Sequence, residues 1–557
     1  MNTGRYSVIK VKQSLALLIM LMFSGTVLSE TEGEWGYPMQ PGESVWSIAH
    51  ELLTDWREWK TIERLNNISN DRQMLPGTVL KIPRSLIRER QSDITILDVS
   101  GTVTAQVVMN DGSVKAHLPL VRGQSLGQGD QIKTSPQSSV LLEFDDGTQV
   151  LILENSLLKI KQATVVGSKR KVVDIKVFLE EGEAEIRANP AKVPGSQFLI
   201  DTPVAFATTK GTTYRVRAKE ASTAAEVIEG KIGVENRLGG TTVGQGYGTL
   251  AKANQPPAKP KKLLPAPELP DLSAPIHYLP GKLVWNELEG AAKYRGQISP
   301  DQLFTSITYD SISNQPKMGL PASLQDKTYW LRVSAIGEEG LQGLSSVQKI
   351  TVDARPFPPV RQAPRPSDAI YSGEVEFIWS RPEMAERFQM DIATDQRFET
   401  VTLHEEEISD TRFTATIMEP GHYYWRVTSV TSQGKVGPLG LAGEFTVKPI
   451  PAKPELQAPV SSEDEMFFSW NAEQDIAYYQ LQLANDQAFN DIQVDETTER
   501  AELAIDKPQP GTYYIRVRAF DADDYAGEWT APQQVEQPIE NWWPLIFSGA
   551  AALLLML

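Results

Sequence analysis

Three marks recur in the same order, three times over, in the C-terminal half of this 557-residue chain. A Trp closes a short apolar strand in LVWNEL (Trp285), FIWSRP (Trp379) and FSWNAE (Trp470), at spacings of 94 and 91 residues. Nineteen residues after each Trp stands the Phe of DQLF (Phe304), DQRF (Phe398) or DQAF (Phe489). An Arg follows 46 or 47 residues after the Trp, in YWLRV (Arg332), YYWRV (Arg426) and YYIRV (Arg516). A period of this length calls for an array of like modules, not one large core. About 90 residues of short alternating strands suit a two-sheet sandwich with a large aromatic between the sheets. In the three Arg strands alternate positions are expected to face the core while the Arg faces solvent. The repeats are placed at 276–353, 360–448 and 455–536. The proline-rich junctions 356–366 and 449–454 are expected to hold neighbouring modules stiffly apart.

These repeats resemble fibronectin type III-like domains of bacterial surface and envelope proteins, a resemblance that implies a fold and no activity. Composition narrows the chemistry further. The chain has no cysteine, so disulfide scaffolds, thiolate zinc sites and thiol catalysis are excluded together. Its net charge is −17, and residues 253–557 alone carry −18, which argues against binding bare nucleic acid. His50-Glu51 lacks the second His that a helical zinc-protease motif requires, and no G-x-S-x-G or phosphate-cradling loop is present. Asp521, Asp523 and Asp524 are clustered oxygens of the kind Ca²⁺ prefers, but an acidic exposed loop is the expected reading. The chain is therefore expected to be no enzyme, with no catalytic residue, no metal and no cofactor.

Each end is apolar. Arg5, Lys10 and Lys12 precede the run Leu15–Phe23, and Val27 and Ser29 sit at the −3 and −1 positions before Glu30. Residues 1–29 are expected to be a cleavable secretory signal, which places the protein in the periplasm or cell envelope. At the other end, residues 541–557 (NWWPLIFSGAAALLLML) carry a Trp pair where an interfacial belt would lie. Sixteen residues span only about 24 Å of helix. A short membrane anchor is the expectation, against a longer segment cut short or a helix packed on another protein.

Between Tyr37 and Pro83 the pattern changes. Ser44 is a candidate N-cap, and Val45, Ile48, Ala49 and Leu52 recur at helical period. A second helix carries Trp59, Ile62 and Leu65 and breaks at Asn66-Asn67, and a last strand, Val79–Ile82, follows the Pro76-Gly77 turn. The PGES-V-W-S-IA start, the Leu65-Asn66 step and the PG-x-x-L-x-IP ending resemble a LysM domain, placed at 36–84. Glu43 stands where Asp is usual, and Met39 where Val is usual. The resemblance implies a βααβ fold that binds N-acetylglucosamine-containing glycan, hence peptidoglycan. The groove it implies lies between two loops: Gly42, Glu43, Ser44 and Val45 in one, and Ile68, Ser69, Asn70, Met74 and Leu75 in the other. For Trp46, Trp56 and Trp59 core packing is expected over sugar stacking.

From Thr102 the period is two. Val140, Leu142 and Phe144 alternate up to Asp145-Asp146-Gly147, and Gln149–Leu153 resumes, which is a hairpin signal. Further runs are Asp174–Leu179, Glu183–Arg187, Gln197–Ile200, Thr212–Arg217 and Ala225–Val234, the last read as a hairpin tipped by Glu229-Gly230. The cluster Lys169-Arg170-Lys171 reads as a solvated hairpin tip. The stretches Leu126–Ile152, Thr202–Val216 (with Lys210-Gly211-Thr212 at a turn) and Ala224–Val234 resemble the FecR domain of exported signalling regulators, placed at 102–252. Members with that role carry a cytoplasmic segment and a transmembrane helix ahead of the domain. Here a signal and a LysM precede it, so the anti-sigma role is not carried over. Residues 253–275, with seven prolines between Gln255 and Pro275, are expected to be an extended spacer.

The fold class expected is multidomain and mainly β: a small α+β LysM, a β-rich FecR-like domain and three fibronectin-like sandwiches. The function expected is non-enzymatic binding of peptidoglycan, with the β domains presented to unidentified envelope or membrane proteins. The alternative is an exported sensory or regulatory component acting through the FecR-like domain.

Overall fold

A computed structural model describes residues 33–539 except 71–73, 110–112, 168–171, 190–192, 194 and 210–211. The expected signal, the C-terminal apolar segment, the Lys169–Lys171 cluster and the Lys210-Gly211 turn therefore lie outside the described residues. No helix among the described residues is long and apolar enough to cross a membrane. The chain divides into two compact units, Met1–Asp353 and Ala354–Leu557.

The first unit opens with β1 (Glu34–Pro38), α1 (Val45–Leu52), α2 (Trp59–Leu65) and β2 (Val79–Pro83). β1 and β2 pair antiparallel, with Trp35 opposite Ile82 and Tyr37 opposite Leu80. The helical stripe read from sequence is the buried one: Val45, Ile48, Ala49 and Leu52 all face the core. That core is not self-contained. Val166 and Val172, from the next domain, complete it, and Arg84 reaches Asp174 at 2.5 Å.

Next comes a closed β-barrel of two face-to-face layers around one apolar core. It takes in Glu89–Gln91 and Ile94–Ser100, upstream of the boundary placed at residue 102. Ser139–Phe144 and Gln149–Ile152 form the hairpin that Asp145-Asp146-Gly147 signals. The two runs Asp174–Leu179 and Glu183–Arg187 prove to be one strand, Val172–Arg187, that passes from one layer to the other. Its first half pairs with Leu157–Val166 and, in parallel, with Gln197–Asp201. Its second half pairs with Gln149–Ile152 and Thr213–Lys219.

Gly182 sits at the crossing with φ +95°, and a Cβ there would lie 2.4 Å from the Ser156 Cα. Gly182→Val combines left-handed strain with a backbone clash and is expected to cost about 3 kcal/mol. Chemical denaturation of the full chain measures it, and a loss under 1 kcal/mol would show that the barrel corner yields easily.

Two sequence readings fail here for identifiable reasons. Ser222–Glu229 and Lys231–Asn236 are not paired as a hairpin. Ser222–Glu229 pairs with Thr213–Lys219 and Tyr247–Lys252, and Lys231–Asn236 with Phe206–Thr209 and Gly239–Gly244. Gly230 (φ +82°) carries the chain between layers instead of reversing it within one. Nor is the proline-rich segment a free spacer. Lys261 and Lys262 add to the barrel as a short strand opposite Gly248 and Tyr247. Leu263 is buried beside Ala224 and Leu341, and Leu344 donates its N–H to the Leu264 carbonyl at 2.9 Å. The proline-free Lys-Lys-Leu-Leu stretch keeps the N–H groups that such pairing needs.

The repeats are two-sheet sandwiches. The first faces Gly281–Val284 and Lys317–Leu320 against a sheet in the order Tyr309–Ser313, Ala291–Ser299, Thr328–Gly337, Gln342–Thr351. Trp285, Trp379 and Trp470 are buried, each edge-on to an aromatic of the opposite sheet: Tyr294, Phe388 and Tyr479 at 5.8, 5.6 and 5.2 Å. The Tyr423 and Tyr513 hydroxyls donate back to the carbonyls of Glu419 and Gln509 at 2.9 and 2.8 Å, pinning the strand entrances. The second and third sandwiches do not stand apart. The Tyr371 and Tyr525 rings stack at 3.6 Å, and the Tyr371 hydroxyl donates to Asp521 at 2.5 Å. Lys448 pairs with Asp523, and the Tyr478 hydroxyl donates to Asp524 at 3.2 Å. The acidic triplet thus holds contacts within and between modules. Among the described residues no group of three or more His, Asp or Glu is placed to hold a metal.

Candidate functional site

The two loops expected to bind glycan are held by backbone geometry. Ser44 caps α1 by accepting the Ser47 N–H at 3.1 Å, while Ser47 Oγ accepts the Ser44 N–H at 2.9 Å. Gly42 turns the loop with φ +83° and leaves open space where a Cβ would stand. Glu43 braces that loop from inside: its carboxylate accepts from the Tyr37 hydroxyl at 3.0 Å and from the Gln40 N–H at 2.8 Å. Met39 ties the two sides together, donating its N–H to Thr78 at 2.9 Å and accepting from the Gly77 N–H at 2.8 Å. Asn66 fixes the far side. Its amide donates to the carbonyls of Ile62 and Lys81 at 2.9 and 2.8 Å and accepts the Lys81 N–H at 2.8 Å.

The residues named for the groove divide by role. Val45 is fully buried and belongs to the core. Ile68 and Met74 are half-buried against that core. Ser69, Asn70 and Leu75 stand exposed on the second loop, Leu75 by 74%. Trp46 and Trp56 are not core residues: they are 49% and 41% exposed and form an aromatic group with His50, their rings 5.4–6.3 Å apart. Trp46 lies one position past the buried stripe of α1, which turns it outward. Trp59 alone packs on the core.

A second constellation joins the barrel to the first sandwich, and sequence reasoning missed it. The outward face of Val172–Arg187 carries Glu183 and Glu185. Arg295 of the sandwich donates to Glu183 at 2.7 Å and forks onto Asp310 at 2.9 and 2.7 Å. Arg332 donates to both Glu185 oxygens at 3.0 and 2.7 Å, and to Gln297 at 2.9 and 2.6 Å. From the barrel, Arg215 donates to the carbonyls of Gln342 and Gly343, both at 2.8 Å, and Arg217 to Gly340 at 2.9 Å. Glu226 accepts from the Gln342 N–H at 3.1 Å. An apolar strip of Leu141, Leu151, Leu153, Phe304 and Ile307 seals one side.

Burial pushes the Glu183 carboxyl up, but Arg295, Arg217 and Arg215 outweigh it and hold the group at about 2. Glu185 is likewise lowered, with Arg332 overcoming its burial. At Glu226 burial wins over Arg217 and Arg215, and the carboxyl is raised.

The Arg–Phe marks of the three repeats meet in space. Arg332, Arg426 and Arg516 lie over the rings of Phe304, Phe398 and Phe489 at 4.5, 4.1 and 4.0 Å. Each Phe holds a positive φ (52°, 57° and 55°) that swings its ring under the strand. These arginines are therefore seated on an aromatic, not simply solvated. What distinguishes the first repeat is legible afterwards: Arg295 and Asp310 stand where the others have Gln389 and His404, or Gln480 and Asp495.

Two family models match parts of the chain. The LysM domain model matches residues 39–83, and the model described as FecR protein matches residues 130–233. No curated protein matches the chain. Among solved structures, one described as an anti-sigma factor from Parabacteroides distasonis is similar at 17% identity and TM-score 0.20. The match covers 24% of this chain and 59% of that one. Chicken CNTN1 domains FN1–FN3 match at 19% identity over 46% of this chain and 94% of theirs, TM-score 0.22. Fibronectin(III)-like modules of Clostridium thermocellum CbhA match at 13% identity over 32% and 94%, TM-score 0.21. The chain thus matches the LysM model and the FecR model over separate stretches, 45 and 104 residues long.

Proposed function

We propose that this is a non-enzymatic cell-envelope protein that binds the N-acetylglucosamine-containing strands of peptidoglycan through its LysM domain. The observation that supports this reading is the match of the LysM domain model to residues 39–83, whose two loops would flank the sugar. Two loops are tied across Met39, Thr78 and Gly77, with Ser69, Asn70 and Leu75 exposed on one rim. Backbone groups of two such loops would offer amide donors and acceptors to acetamido groups without needing charged side chains. The barrel and sandwiches present faces to other envelope proteins. A second reading, a sensory or regulatory component, is favoured by the FecR match over the barrel.

Titration of the full chain with N-acetylglucosamine oligomers by calorimetry tests the groove. Ser69→Trp places bulk on an exposed rim and is expected to weaken binding about tenfold with an unchanged melting temperature. Equal affinity in the variant would remove the groove from the account.

A further inference from the structure

The first sandwich shows what the Arg–Phe seat can hold. With Phe304 beneath it and Gln297 on its Nε and Nη2, Arg332 offers its outer edge to Glu185 of the barrel. The third sandwich repeats this seat. Arg516 lies over Phe489 at 4.0 Å and donates Nε and Nη2 to Gln482 at 2.9 and 2.6 Å, the same two distances as at Gln297. Among the described residues no carboxylate forms a direct ion pair with Arg516; Asp495 stands one residue removed, accepting from Gln482 at 3.0 Å and Gln480 at 2.6 Å. Two residues further along the strand Arg518 faces the same way, donating to Gln480 at 2.9 Å. The two guanidinium groups flank Trp529 at 4.3 and 4.4 Å.

The charge placement is uneven. Residues 455–536 hold four Lys or Arg against 18 Asp or Glu, and two of the four are this pair. Holding like charges side by side is unfavourable unless something anionic meets them, and Asp495 supplies one carboxylate for two guanidinium groups. Burial and the neighbouring Arg518 lower the Arg516 guanidinium from its ordinary value, outweighing the nearby Asp495. Glu183 and Glu185, the pair that meets the first sandwich, are likewise two apart on one strand.

We propose that the face around Arg516, Arg518 and Trp529 docks a protein strand bearing carboxylates at alternate positions. This rests on the reading that the sandwiches present faces to protein partners, and it names the chemistry of one partner. Arg516 takes one carboxylate by its outer edge, Arg518 takes the next, and Trp529 covers the strand backbone between them.

The test is fluorescence anisotropy with the full chain and a labelled peptide of the sequence Glu180–Ala188 (EEGEAEIRA) at low salt. Binding is expected, weakening about tenfold in the Arg516→Gln/Arg518→Gln double variant and as salt rises. Arg500→Gln removes an exposed charge elsewhere in the module and is expected to change nothing. A peptide with Gln at both positions corresponding to Glu183 and Glu185 is expected not to bind. Arg518→Gln alone leaves the Phe489 seat intact and is expected to lose part of the affinity, so a misfolded double variant does not decide the matter. No anisotropy change at millimolar peptide would overturn the proposal, as would equal binding by wild type and Arg518→Gln. Capture of the chain by phosphatidylglycerol vesicles through the same arginines, with the peptide ignored, would also overturn it and assign the face to a lipid surface. Titration with N-acetylglucosamine oligomers is expected to be unaltered in these variants, which separates this failure from failure of the glycan groove.

Discussion

Arg295→Met is expected to destabilise the junction of barrel and first sandwich by about 3–5 kcal/mol. Met keeps the apolar stem but loses the guanidinium and every donor, leaving Glu183 and Asp310 as buried carboxylates on either side of the gap it occupied. Asp310 retains Gln297 at 2.7 Å, and Glu183 retains Arg217 at 3.4 Å, so the loss is large but short of complete unfolding. Calorimetry of the full chain is expected to show the barrel and first sandwich melting together in the wild type and separately in the variant. Adding Glu183→Gln removes one stranded charge and is expected to restore part of the loss, a coupling that a double-mutant cycle measures. Unchanged joint melting would mean that the apolar strip around Phe304 and Ile307 alone holds the junction.

The same network sets a pH dependence. The folded Glu183 carboxyl, at about 2, lies below its ordinary 4.5. Its contribution is therefore present above pH 4.5 and lost as pH falls from there toward 2. Glu185 acts in the same direction. Glu226, whose carboxyl is raised, acts oppositely: acidification relieves its burial cost.

Trp425→Ala is the second large effect, expected to cost the second sandwich about 3–5 kcal/mol. Trp425 is fully buried, edge-on to Phe377 at 5.0 Å, and Phe377 in turn meets Phe445 at 5.4 Å. Truncation removes the largest side chain of the Arg strand and leaves a cavity that Phe377 and Phe445 cannot close without leaving their rotamers. For a module of this size such a loss lowers the melting temperature by roughly 15–30 °C. The transition of residues up to Asp353 is expected to stay in place. A fall of only a few degrees would indicate that the aromatic cluster repacks.

How far the sequence could be read depended on which physics wrote it. The α1 stripe of Val45, Ile48, Ala49 and Leu52 and the three Trp strands follow from periodicity, and the structure buries each of them. The groove loops were placed by resemblance, which fixes where the turns fall but not which side chains stay outside. Trp46 and Trp56 show that limit: aromatic character suggests burial, while helix phase turns Trp46 outward and Trp56 opens a short 3-10 turn with no buried residue. The barrel–sandwich junction was illegible for a different reason. Outward charges at alternate strand positions, Glu183, Glu185 and Arg187, look the same whether they meet water or another sheet. Only the partner's residues, Arg295 and Arg332 more than a hundred positions away, decide between the two. The crossing at Gly182 was hidden likewise, since a strand that changes layers keeps its period of two.

One co-sedimentation assay bears most directly on the account. The full chain is mixed with purified peptidoglycan sacculi, and pellet and supernatant are analysed together. The account predicts that the wild-type protein pellets saturably, that soluble N-acetylglucosamine oligomers and Ser69→Trp both reduce the pelleted fraction, and that no muropeptides appear in the supernatant. Protein that stays in solution at every sacculus concentration, or fragments released in step with added protein, would contradict it.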